Sequence, residues 1–301
     1  RRSERLQSTP NRMNQPPKGA DSEKPDPHRP PHNLLRHSAL LTASAVAATA
    51  APGQPLLVHH NVTGSDSAAG DFFGYAAAIS NATAVIGAPH LQSACEQDCA
   101  AYVFDTATGQ ELFKLIALDL ESRHGFGIST AIDRNTAVIG AHWDDTAGPR
   151  SGSAYIFDTT TGAQLRKLIA SDADEGDHFG ICVGISGNTA IIGASRNDLG
   201  GDRGGAAYLF DAVPGQQLAR LTPEDPAPVN NFSSSVPISG MIAPLGAPGD
   251  THAAYTSGSA SIFDTAPRQQ LSTIPTGDAA TRAACGVAVA AFGATVVVGA
   301  P

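Results

Sequence analysis

The 301 residues include 31 glycines and 21 prolines but only 6% aromatics, which favours many short strands joined by turns. The formal net charge of −9 is uneven: residues 1–53 hold eight Lys/Arg against four Asp/Glu, and the remainder holds 11 against 24. An acidic body argues against non-specific nucleic-acid binding, which needs cationic side chains to replace counterions, and four cysteines are too few for a disulfide scaffold.

Residues 1–37 are rich in Pro, Ser, Asn, Lys and Arg with hardly any apolar periodicity, so residues 1–53 are expected to form a disordered leader. Within it, Ala39 to Ala51 is an apolar, alanine-rich run preceded by Arg36 and His37, and Ala48-Thr49-Ala50 has the small-x-small form of a signal cleavage site. It reads as a secretory signal or, alternatively, as an Ala-rich linker. The run is too short to span a bilayer as a helix, so no transmembrane segment is expected.

From about residue 54 the chain repeats itself every 53 residues. Phe-Gly glycines stand at Gly74, Gly127, Gly180 and Gly286, with Ser233 in the fourth place. A Gly-Ala pair closes each stretch at Gly87, Gly140, Gly193, Gly246 and Gly299, and an aromatic follows at Phe104, Phe157, Phe210 and Phe263. Three features on one period without an insertion mark an array of supersecondary units. The copies are 71–123, 124–176, 177–229 and 230–282, with a partial fifth at 283–301. Each reads as four strands in meander order, which is the unit of a β-propeller blade. A first strand of Gly, Ala and Ser suits crowding near an axis, whereas Tyr155, Phe157, Leu165 and Leu168 fill the third and fourth strands.

The repeated Phe-Gly to Gly-Ala stretches, Phe73-Gly74 to Gly87-Ala88-Pro89, Phe126-Gly127 to Gly140-Ala141 and Phe179-Gly180 to Gly193-Ala194, resemble the FG-GAP repeat family. The resemblance covers about residues 56–301 and implies an all-β fold, a β-propeller of four-stranded antiparallel blades. It also implies that these copies are a fragment of a larger, about seven-bladed ring. Integrin-like members hold calcium on a loop between Phe-Gly and Gly-Ala-Pro. Here that place holds only short turns such as Asp133-Arg134-Asn135 and Ser186-Gly187-Asn188, too few residues for the oxygens calcium takes, so no metal site of that type is expected.

Two acidic positions also keep the step of 53: Asp66, Asp119, Asp172, Asp225 and Asp278, and Asp105, Asp158, Asp211 and Asp264. As equivalent copies they read as turn caps that accept backbone N–H bonds rather than as metal ligands. The loops after Gly-Ala vary: His142 to Gly148, Ser195 to Gly200, and Gly249 to His252. Binding specificity is expected there. Trp143, the single tryptophan, is suited to stacking on a sugar or anchoring a protein partner, or is an ordinary half-buried indole. A weak surface calcium site at Asp144 and Asp145, or at Asn197 and Asp198, is the alternative use of these loops. Cys95 and Cys99 frame a loop short enough for a bridge, while Cys182 and Cys285 read as buried thiols.

No nucleophile with a matched base and no phosphate-binding motif is evident, so no catalytic residue and no cofactor is assigned. The expected protein is therefore a secreted or cell-surface binding or scaffold module, not an enzyme. Its expected partner is an extracellular protein or a glycan, in adhesion or as the accessory propeller of a larger secreted enzyme.

Overall fold

The computed structural model describes residues 60–90, 99–119, 125–198, 201–251, 256–275 and 283–300. The leader with its alanine-rich segment, Cys95, His252 and Asp278 lie outside the described residues. The first copy contributes β1 (Ala76–Ser80), β2 (Thr83–Ala88), β3 (Ala100–Asp105) and β4 (Glu111–Leu115). The second contributes β5 (Phe126–Asp133), β6 (Thr136–Ala141), β7 (Ser153–Asp158) and β8 (Gln164–Leu168), and the third β9 (Cys182–Ser186), β10 (Thr189–Ala194), β11 (Ala206–Asp211) and β12 (Gln216–Leu221). Then come β13 (Ile242–Ala247), β14 (Ser259–Asp264), β15 (Gln269–Pro275), β16 (Ala288–Phe292) and β17 (Thr295–Gly299). Each of the first three copies is one four-stranded antiparallel meander, so the all-β blade architecture read from the period is the one observed.

The core lies between blades. In β6 and β7, Ala137, Ile139, Tyr155 and Phe157 pack on Val85, Val103 and Leu115 of the preceding blade. Their alternates Val138 and Ile156 pack on Ala190, Ile192, Tyr208 and Phe210 of the following one. Side chains alternate across a strand, so a central strand buried on both faces has to read as a continuous apolar run, as Thr-Ala-Val-Ile-Gly-Ala does. The first strands lie against one another, β1 on β5 and β5 on β9, which is why they carry small residues.

The Phe-Gly and Gly-Ala glycines form the joint between blades. A Cβ on Gly140 would stand 1.9 Å from Gly180 O, and one on Gly180 would stand 2.2 Å from Ser153 O. Gly180 also has φ +88°, which L side chains rarely adopt. Ser233 keeps the joint's conformation with φ +67° and donates from Oγ to Ala206 O (2.5 Å), so the serine is held in the glycine's place.

The fourth blade departs from four strands: it has β13, β14 and β15, and its first strand is reduced to the bridge between Ser239 and Ile242. Two prolines explain this. In the register set by that bridge, Pro237 stands opposite Pro244, at a rung where both residues would donate an N–H, and neither has one. Bonds persist on either side: Ser239 and Ile242 exchange N–H···O bonds, and Gly246 N donates to Ser235 O (3.1 Å). Pro244 turns its missing donor toward the first strand, so β13 keeps its full ladder with β14.

Candidate functional site

A polar cluster recurs in the first three blades. Asp66 accepts from Tyr102 Oη (2.8 Å) and Lys114 Nζ (2.5 Å). One copy on, Lys167 Nζ donates to Asp119 (2.5 Å) and to Asp144 (3.0 Å), and Tyr155 Oη donates to Asp144 (2.8 Å). In the third blade Arg220 donates to Asp172 (2.9 Å), and Asn197 Nδ2 donates to Asp177 (3.0 Å) and to Tyr208 Oη (3.3 Å). Lys114, followed by Tyr102, holds the Asp66 carboxyl below its ordinary range, whereas burial pushes the three tyrosines up. Asp66, Asp119 and Asp172, expected to cap turns through backbone N–H groups, instead tie the segment before each Phe-Gly to the fourth strand of the blade that follows, a structural role.

The second acidic series caps turns. Asp105 Oδ1 accepts from Ala107 N and Thr108 N, and Asp158, Asp211 and Asp264 accept from the N–H two residues on. Cys99 and Cys285 are buried; the Cys182 thiol donates to Ser233 O (2.8 Å) across the blade joint, and burial pushes its pKa up to about 12.

The hairpins where integrin-like copies hold calcium are two-residue turns, Asn81-Ala82, Arg134-Asn135 and Gly187-Asn188, with φ of +52°, +55° and +58° at their first residues. Their polar groups join blades instead: Ser80 Oγ accepts from Arg134 N (2.9 Å), and Asp133 Oδ2 accepts from Gly187 N (2.6 Å). Two residues do not supply six to eight oxygens, and these turns do not fit calcium.

The variable loops lie at the opposite ends of the strands, and those of the second and third blades meet. Trp143 is half-buried, its ring 4.6 Å from that of His142 at 36°, and His142 is 5.3 Å from His178. These rings, with Arg150, Arg196 and Pro248, line an open cavity of about 440 Å³. Burial, reinforced by His178 and the arginines, lowers His142 to about 3, and burial likewise lowers His178 to about 4, so both are neutral rings at neutral pH. His142 Nδ1 has no hydrogen-bond partner among the described residues.

The carboxylates beside Trp143 in sequence do not face this cavity. Asp144 is fully buried and turned to Tyr155, Lys167 and Thr146 N, and Asp145 Oδ1 accepts from Arg150 N (2.7 Å). Asp198 repeats that bond on Arg203 N (3.0 Å). Among the described residues no group of three or more His, Cys, Asp or Glu side chains is placed to hold a metal. Arg150, Arg196 and His178, which complete the Trp143 site, come from two blades and carry no sequence signal except the step linking Arg150 to Arg203.

Among solved structures, the chain is similar to Kuenenia stuttgartiensis hydrazine synthase, at 13% identity and a TM-score of 0.48. The match covers 71% of this chain and 52% of that one, so this chain spans about half that structure's length. The computationally designed Ika8 protein matches at 18% identity and a TM-score of 0.45, covering 75% of this chain and 67% of that one. No curated protein sequence matches. The FG-GAP repeat matches residues 59–104, 110–157, 163–210 and 216–263, one match ending at the third-strand phenylalanine of each of four blades. With its glycines meeting at the blade joints and its period kept in the fold, the chain belongs to the FG-GAP repeat family.

Proposed function

We propose that the chain is a non-catalytic binding module that works outside the cell or at its surface, with the loop face around Trp143 as its ligand face. The observation that carries this is the meeting of an indole with two guanidinium groups over one cavity. An indole face takes the apolar side of a sugar ring, and guanidinium groups pair with carboxylates or sulfates in fork geometry. An acidic glycan suits that combination better than a neutral one, and it suits an adhesion protein or the accessory propeller of a larger secreted enzyme. The surrounding acidic body rejects polyanions generally, so the ligand has to seat locally rather than coat the surface.

Binding of the full chain to an array of neutral and acidic oligosaccharides tests this reading. Binding confined to carboxylated or sulfated glycans and lost in Trp143→Ala is the expected result. Equal binding to neutral sugars, or binding untouched by the substitution, would count against it.

A further inference from the structure

The fourth blade has lost two of the three side chains that form the polar cluster in the others. At the step of 53, Tyr102, Tyr155 and Tyr208 become Ser261, and Lys114, Lys167 and Arg220 become Thr273. The carboxylate is retained as Asp225. The ring stacking changes with them: the Phe-Gly phenylalanine meets a tyrosine and a phenylalanine in the first three blades, but Phe232 meets only Phe263.

Where the missing tyrosine and cation would lie there is a cavity of about 310 Å³, within the range of ligand pockets. Glu224, Asp225, Asp250, Asn230, Ser261 and Thr273 line it, and no lysine, arginine or histidine does so among the described residues. Asn230 is only 3% exposed, yet its Oδ1 accepts no hydrogen bond among the described residues. A buried amide oxygen left without a donor is costly, so an acceptor in the wall of a cavity points to a donor that arrives from outside.

We propose that this cavity binds an organic cation, a primary ammonium or guanidinium group on a short carbon stem, which enters where the other blades carry their own tyrosine and lysine or arginine. The charged head takes the carboxylate side and donates to Asn230 Oδ1, while Ala247 and Pro275 face the stem. The chemistry is that of a free alkyl diamine or of a lysine or arginine side chain on a partner.

The test is calorimetric titration of the full chain with 1,5-diaminopentane and with Nα-acetyl-lysine methylamide, using the Nε-acetylated lysine derivative as the neutral control. Saturable binding of either cation and none of the control is expected; binding of the diamine alone assigns a small-molecule source, and of the lysine derivative alone a partner's side chain. The variant S261Y/T273K rebuilds the cluster of the other blades and should fold at least as stably, while weakening the cation by about tenfold or more. Asp225→Asn should weaken it by about tenfold as well. Equal binding of the neutral control, no binding of either cation, or undiminished binding by the folded S261Y/T273K variant would overturn the proposal.

Discussion

Lys167 is held between a surface carboxylate, Asp119, and a fully buried one, Asp144, whereas Lys114 pairs with Asp66, which is half exposed. The two lysines therefore differ in what their loss costs. Asp144→Ala leaves the buried Tyr155 hydroxyl without its acceptor and takes from Lys167 the buried one of its two carboxylates, so it should lower the unfolding free energy by about 3 kcal/mol. Lys114→Ala should change it by less than about 1 kcal/mol, because solvent screens the exposed pair. Denaturant titration of both variants checks the contrast, and equal effects would refute it.

His142 sets a pH dependence. Its folded pKa, about 3, lies below its unfolded value, so the unfolded chain binds more protons between about pH 6.5 and 3. The stability His142 permits is thus complete above that window and is lost as pH falls through it. His142→Phe should flatten the melting temperature over this range, and an unchanged slope would show that other groups govern it. At this scale the second acidic series is legible as turn caps, whereas Asp66, Asp119 and Asp172, read the same way, pair instead with tyrosine, lysine and arginine side chains about 36 to 48 residues away. The surroundings of Trp143 are not legible, because Arg196 lies 53 residues from it in sequence and meets it only through blade packing.

For the blades, what the sequence disclosed was the period; what it hid was register. Four strands per copy follow from the apolar runs and turns, and the first three blades have them. The same bulge recurs before Phe104, Phe157, Phe210 and Phe263, and nothing in the local sequence announces it. In the fourth blade the loss of the first strand depends on Pro237 and Pro244 facing each other, which emerges only once the hairpin pairs Ser239 with Ile242. The variant P237A/P244V restores both donors to that rung and should extend the strand. Hydrogen exchange should then show protected amides at 237 and 244, with a gain of about 1 kcal/mol. Fast exchange at both would mean that something other than the missing donors interrupts the ladder.

Among the described residues, blade is joined to blade by apolar faces, glycine joints, and hairpins bonded one to the next. We therefore expect millimolar calcium to leave the melting temperature unchanged, and a rise of several degrees would contradict that. Around Trp143 the variable loops present two arginines within an acidic body.

The most direct test of that account is the fluorescence of Trp143, the chain's single tryptophan, during titration with a uronic-acid oligosaccharide at low and high salt. The account predicts a saturable change that weakens as salt screens the arginine contacts and that is reduced when Arg150 and Arg196 are replaced by serine. A spectrum that stays constant at every concentration, in a protein shown to be folded, would contradict it.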